Sequence, residues 1–354
     1  MSLSPFEHPF LSGLLGDPEI ISLFSGEADI EAMLRFEVAL AQAQADCRVL
    51  ADEDAAFIAS RLAGFAPDMA LLAQGVARDG VVIPEFVRQL RMAVGGPVAD
   101  KVHFGATSQD VIDTSLMLRL KTATDILASR LADCIGALEA LDRRDGKRSM
   151  MGYTRMQAAI PIAVSDRIGS WVAPLRRSKT RLAAFAAQGF ALQFGGAAGT
   201  LEKLDSKGEA VRAALAARLG LSDRAQWQSQ RDGIAEFAGL LSLLTGSLGK
   251  LGQDVALMAE AGGEIRLTGG GGSSAMPHKQ NPVTAELLVT LARFNATQVS
   301  AMHQALVHEQ ERSGAAWMLE WLSLPHMVAA TGVALSTTIR LTASIASMGS
   351  DTKG

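Results

Sequence analysis

The sequence predicts an all-α protein, and three observations carry that prediction. Proline is missing from two long intervals, between Pro97 and Pro161 and between Pro174 and Pro277. A proline inside a helix costs about 3 kcal/mol, so those intervals can hold long uninterrupted helices. Within the second, Ile234, Phe237, Ala238, Leu241, Leu244, Leu248, Leu251, Val255 and Met258 recur at spacings of three and four, the period of a helix. Alternating apolar and polar patterns, which mark half-buried strands, are scarce, and aromatic residues are only 5% of the chain.

In chain order, the first helical pattern starts near Ile30 and continues through Met33, Leu34, Val38, Ala41 and Ala45. The next starts at Thr107, where "TSQD" reads as a capping box with Thr107 as N-cap and Asp110 three residues on. The pattern after Ile234 also has Leu240 and Leu243 on its opposite face. That helix should be buried on all sides, in a bundle or a subunit interface. A further helix should follow Asn281 as N-cap and Pro282 as first helical residue, and another should run through "VAATGVALSTTIRLTASIA". These elements divide into a smaller N-terminal helical domain up to about residue 105 and a long-helix bundle over 106–354.

A net charge of −4 makes no general electrostatic case for nucleic acid. Cys47 and Cys134 are too few for a disulfide framework or a zinc site. The six histidines show no ligand spacing, so a metal is not expected, and the chain is read as needing no cofactor. The start, "MSLSPFEHPF", lacks the basic residues and apolar run of a signal peptide. The most apolar stretch, Phe237 to Gly249, is by itself too short to span a bilayer. Together these place the protein in the cytoplasm, with no membrane partner.

Three polar clusters interrupt the helical patterns. In "VHFGATSQD", Thr107 and Ser108 offer hydroxyls at a helix N-terminus, where an anion can bind; alone, the cluster reads as an ordinary capping loop. His103 reads as a structural group beside that loop. "MGYTRMQAAIP" holds Thr154, Arg155 and Gln157 beside Tyr153, the chain's only tyrosine, and alone reads as a loop leading into a helix with a solvated arginine. The third, "GGGGSSAMPHKQNPV" from Gly269 to Val283, sets four glycines before a rigid helix start. Glycines suit a segment that must move or take unusual φ/ψ, whereas Lys279 and the helix N-terminus suit an anion. A phosphate-binding P-loop is excluded, because no Gly-Lys-Ser/Thr follows at the required spacing.

"GSSAMPHKQNPV" resembles the signature of the fumarase/aspartase superfamily, which includes adenylosuccinate and argininosuccinate lyases and 3-carboxymuconate cycloisomerases. "HFGATSQDVIDT" and "TRMQAAIP" resemble its other two signature regions, in the expected order. The resemblance implies a homotetramer with a central bundle of long helices and active sites built from three subunits, one signature region each. It implies addition or elimination beside a carboxylate, through an aci-carboxylate held by hydrogen bonds and cations. Ser273 takes the place of the catalytic serine, with Lys279 and Asn281 to stabilise its alkoxide. Thr107, Ser108, Thr154, Arg155, Gln157, Gln230, Ser274, Met276 and Arg312 are the implied substrate-binding residues. Most members continue for roughly another hundred residues into a small helical domain, on the scale of usual domain sizes. The resemblance therefore implies a truncated or absent C-terminal domain.

Many lyases of the superfamily read Thr-His-x-Gln where this chain reads "TRMQ". Arginine, with a pKa above about 12, is no general acid at neutral pH. The leaving group should thus need no proton, and a carboxylate meets that condition. "VVIPEFVRQLR", "GGAAGTLEKLDSKG", "WQSQRDGIAEF" and "ERSGAAWMLEW" also resemble the carboxymuconate-cycloisomerising branch. A polycarboxylate substrate is implied, with Arg155 pairing a carboxylate in bidentate fashion. A carbon–nitrogen lyase of the adenylosuccinate lyase kind and a non-catalytic helical homologue remain the alternatives.

Overall fold

The computed structural model describes residues 4–272, 275–276 and 280–350. Its helices are α1 Ser12–Leu15, α2 Pro18–Ser22, α3 Gly26–Asp46, α4 Asp52–Leu62, α5 Met69–Asp79, α6 Ile83–Val94, α7 Ser108–Asp145, α8 Val164–Gln188, α9 Gly208–Leu219, α10 Asp232–Ala261, α11 Val283–Gln304 and α12 Gly314–Ser344. Two short two-stranded sheets accompany them. β1 (Ser149–Thr154) pairs antiparallel with β2 (Gln157–Ala163), and β3 (Ile265–Leu267) with β4 (Ile345–Met348).

The 38-residue α7 fills the first proline-free interval. At 1.5 Å per residue it is roughly 57 Å long. Hydrogen bonds at both its ends show that α7, α10 and α12 run in the same direction. At the starting end, Arg231 just before α10 pairs with Asp113 of α7 and Glu320 of α12. At the finishing end, Arg144 donates to the Ile345 carbonyl, the Met348 N–H to Asp145, and the Gly349 N–H to the Glu264 carbonyl. Helices α8 and α11 return between them. Trp171 of α8 donates to Asp254 of α10 at 2.7 Å, and Asn295 of α11 donates to Thr331 of α12 at 3.0 Å. The N-terminal helices join this bundle through α3, whose Asp29 accepts from Ser115 at 2.6 Å.

Several sequence expectations need correction. Pro174 and Pro325 lie inside α8 and α12, so the proline gaps understate how far the helices run. The helix after "QNP" begins at Val283 with Pro282 at its cap. Asn281 misses that role by one residue, because the first helical N–H, that of Glu286, donates to the Pro282 carbonyl, while Asn281 pairs with Gly271. Helix α10 is not buried all round within one chain: Leu240 is half-buried and Leu243 is 55% exposed. Taken whole, α10 and α12 are each long and apolar enough to cross a membrane by length and composition. Their most apolar windows are 56% and 72% buried against the rest of the chain, as in core helices.

Glycine sets the closest approach in the bundle. A Cβ at Gly249 would lie 2.4 Å from Ala292 Cβ, and one at Gly252 would lie 2.6 Å from the Ala285 carbonyl oxygen. Helices α10 and α11 therefore touch almost backbone to backbone. Gly252→Val is expected to lower stability by about 1–3 kcal/mol, the usual cost of overpacking. Urea titration checks this; an unchanged midpoint would mean that the two helices separate freely.

Candidate active site

The first signature region forms the start of α7. Thr107 is extended, as an N-cap must be, and its N–H donates to Asp110 Oδ2 at 3.0 Å. The same carboxylate accepts from Gln193 Nε2, Gly195 N and Gly196 N, each at 2.9 Å. Three of these N–H groups pin the segment 193–196 across the helix start. Gly196 has a φ of +69°, and a Cβ there would press on the Gly105 carbonyl, so glycine is required. Burial pushes the Asp110 carboxyl up to about 6 despite the donors around it.

One turn deeper lies a buried charge cluster. Arg231 donates to Asp113 at 2.6 and 3.1 Å and to Glu320 at 2.8 and 2.5 Å. Its guanidinium sits over Trp227, 4.8 Å from the ring centre, and Trp317 Nε1 donates to Asp113 at 3.0 Å. Burial opposes the Arg231 charge, but the two carboxylates outweigh it and raise its pKa. Burial also raises Glu320 and lowers His308. His308 Nδ1 accepts from the Ser313 N–H, and its Nε2 faces Glu320 at 4.0 Å.

Arg312 connects this cluster to the helix start. Its Nε donates to Gln109 Oε1 at 2.9 Å, and its Nη2 reaches the Ala197 carbonyl at 3.3 Å and Thr107 Oγ1 at 3.4 Å. Thr107 and Arg312 are therefore in contact, with half-buried Ser108 beginning the helix beside Thr107. First-turn N–H groups have no intrahelical partner, so hydroxyls, N–H groups and a guanidinium converge where an anionic oxygen can bind.

The second signature region is a hairpin, where the sequence suggested a loop leading into a helix. Thr154 pairs with Gln157 across a two-residue turn, and its central residues Arg155 and Met156 have φ of 47° and 63°. Positive φ at both positions is the turn that matches strand twist in short hairpins. It is strained for residues other than glycine or asparagine. Thr154, Arg155 and Gln157 are all exposed, and Arg155 makes no hydrogen bond or ion pair with the described residues.

The remaining expected site residues are dispersed. Exposed Gln230 lines a cavity of about 490 Å³ with Gly199, Thr200 and Gln226. Asn281 and exposed Met276 belong to the third signature region. Ser273, Ser274 and Lys279 lie outside the described residues. The β1–β2 hairpin and the chain after β3 emerge at the finishing end of α7, since Ser149 pairs with Ser350 and Met151 N–H donates to Glu264. The Thr107–Arg312 group lies at the starting end, most of the helix length away. A separate cavity of about 500 Å³, between the N-terminal helices and α12, includes none of the expected site residues.

Sequence reasoning missed Gln109, Asp113, Arg231 and Glu320. The available signal was a charge inside an apolar helical run, as in "WMLEWLSL" around Glu320. A charged group at a core position needs a buried partner.

Comparison with known proteins adds a family to this geometry. The family described as lyase matches residues 19–299. The chain is 37% identical to a 3-carboxy-cis,cis-muconate cycloisomerase of Bradyrhizobium diazoefficiens, over 93% of its own length and 74% of the relative's. It is 35% identical to the protein of that name from Acinetobacter baylyi, over 91% and 73% of the two chains. Among solved structures, the 3-carboxy-cis,cis-muconate lactonizing enzyme of Pseudomonas putida superposes with a TM-score of 0.88 at 32% identity, covering 95% of this chain and 76% of that one.

His103 Nδ1 lies 2.6 Å from Glu37, with φ of +65°. Burial opposes its charge, yet Glu37 raises its pKa overall. A raised histidine stabilises the fold fully below its ordinary pKa of about 6.5, and that stabilisation is lost as pH climbs through the raised value. Urea titrations at increasing pH should therefore show a decline in stability that His103→Gln flattens. For a structural group, kcat of this variant should stay within a few-fold of the parent; loss of kcat with an unchanged pH profile would make His103 part of the chemistry.

Proposed function

This chain belongs to the lyase family of the fumarase/aspartase type, and from that premise we propose that it lactonises 3-carboxy-cis,cis-muconate as a cytoplasmic homotetramer. One substrate carboxylate oxygen adds to a conjugated C=C, and the electron pair moves into the neighbouring carboxyl as an aci-carboxylate. Carbon then takes one proton, so the product is an isomer of the substrate. No metal, nucleotide or other cofactor enters that balance. Ser273 is the proton carrier, with Lys279 and Asn281 holding its alkoxide. Thr107, Ser108 and Arg312 bind one carboxylate. Thr154, Arg155 and Gln157 meet another, and Gln230, Ser274 and Met276 complete the pocket.

The observation that carries this reading is Arg155. An exposed guanidinium, held on a strained turn and unpaired among the described residues, suits a substrate carboxylate. It does not suit a leaving amine that needs a proton.

The length of α7 supports a site shared between subunits. A chain that carries its first signature at one end of a roughly 57 Å helix and the other two at the far end cannot close the site alone. A neighbour running antiparallel brings opposite ends together. Exposed Leu243 on α10 and Met318 and Leu322 on α12 supply apolar surface for such a contact. The N-terminal unit up to about residue 105 flanks the bundle in this arrangement.

The purified protein, given 3-carboxy-cis,cis-muconate with no metal or nucleotide added, is expected to remove the diene absorbance. Ser273→Ala should abolish the fall and leave the assembly intact; near-normal turnover by that variant would refute the assignment. Shared sites also predict complementation. Inactive Ser273→Ala and Thr107→Val tetramers, dissociated and reassembled together, should recover up to about one quarter of parental activity, as random mixing in a symmetric oligomer allows. Zero recovery in verified mixed tetramers would mean that each chain supplies its own complete site.

A further inference from the structure

Gln109 is fully buried beneath the starting turn of α7, and its amide has only one workable orientation. Its Nε2 donates to Asp113 Oδ2 at 3.0 Å and to the Gln228 carbonyl at 2.8 Å, while its Oε1 accepts from Arg312 Nε at 2.9 Å. A flipped amide would set its oxygen against a carboxylate and a carbonyl, and its NH2 against a guanidinium. Asp113 cannot turn away, because Arg231 grips both its oxygens and Trp317 donates to it. The buried cluster pairs one arginine with two carboxylates. Its surplus negative charge draws on the amide from below, and the amide oxygen holds the arginine above.

Arg312 is otherwise exposed and long, with much rotamer freedom to lose on binding. Held at Nε, it has Nη2 near Thr107 and Ala197, and Nη1 has no protein partner among the described residues. We propose that Gln109 is a positioning residue that locks Arg312 over the N-terminus of α7, so that a substrate carboxylate meets a guanidinium already aimed. The proposal rests on the reading of this corner as a carboxylate subsite. Gln109 touches no substrate; it acts through Arg312.

The test is a double-mutant cycle with two readouts: KM and kcat for 3-carboxy-cis,cis-muconate, and calorimetric binding of propane-1,2,3-tricarboxylate. Gln109→Met keeps the volume and removes all three hydrogen bonds. It should raise KM and weaken probe binding about 10- to 100-fold, the scale of a lost hydrogen bond to a charged group, with a smaller change in kcat. In an Arg312→Ala background the same change should add almost nothing, whereas multiplying losses would overturn the proposal. Arg312→Lys gives a second route through an exposed position. It keeps the charge but lacks the Nε–H, so it should weaken binding about as much as Gln109→Met; near-normal binding would overturn the proposal. A parent protein that binds the probe but leaves the muconate unchanged refutes the proposed reaction while the cycle still reads Gln109. A parent that binds neither compound overturns both.

Discussion

The pairing of Arg231 with Asp113 and Glu320 holds the starting ends of three helices in one register. Each charge has lost its hydration, and removing Arg231 would strand two carboxylates in a medium that cannot solvate them. Such clusters add little net stability compared with apolar packing. What this one does is geometric. It decides which residue of α7 faces which residue of α12, and through Gln109 it reaches the surface at Arg312. Asp110, one residue on, ties the segment 193–196 to the same turn. The polar face of the helix start is thus held from below and from the side before any ligand arrives.

The same helix that anchors this corner removes it from the rest of the chemistry. Because α7, α10 and α12 run the same way, whatever precedes them gathers at one end and whatever follows them at the other. Thr107 and Arg312 belong to the first set, and the β1–β2 hairpin and the described residues of the third signature region to the second. A helix bundle does not bend to bring its ends together, so within one chain the exposed hairpin residues Thr154, Arg155 and Gln157 stay apart from Thr107 and Arg312. Arg155 is the clearest instance: its backbone is strained and its charge unpaired among the described residues, an arrangement that makes sense when the partner comes from outside the chain.

How much of this was legible in the sequence follows from the kind of signal each part carries. Helices α7 and α10 were legible because periodicity and the absence of proline report burial directly. The capping role of Thr107 was legible because its chemistry is local. The hairpin was hidden because "TRMQ" contains neither the Asn-Gly nor the Asp-Gly that usually announces a two-residue turn; pairing between β1 and β2 overrides the local preference. The cap after "QNP" falls on Pro282 instead of Asn281, and the pairing of Asn281 with Gly271 is likewise a contact that local preference does not report. The contact between Thr107 and Arg312 spans 205 positions, and no local pattern reports such a distance.

The lyase signatures, by contrast, were legible as chemistry before they were legible as geometry. On the proposed reading, serine, lysine and asparagine in the third region supply a proton carrier and donors for a developing anion. They do not say whether those functions serve their own chain or, as proposed, a neighbouring copy. That information resides in helix length and direction, which depend on long apolar runs far from any signature. Residues such as Leu243 and Leu322, unremarkable as chemistry and exposed on α10 and α12, therefore matter to the proposed assembly: on that reading, a neighbour packed against them is what brings Arg312 to the reacting groups.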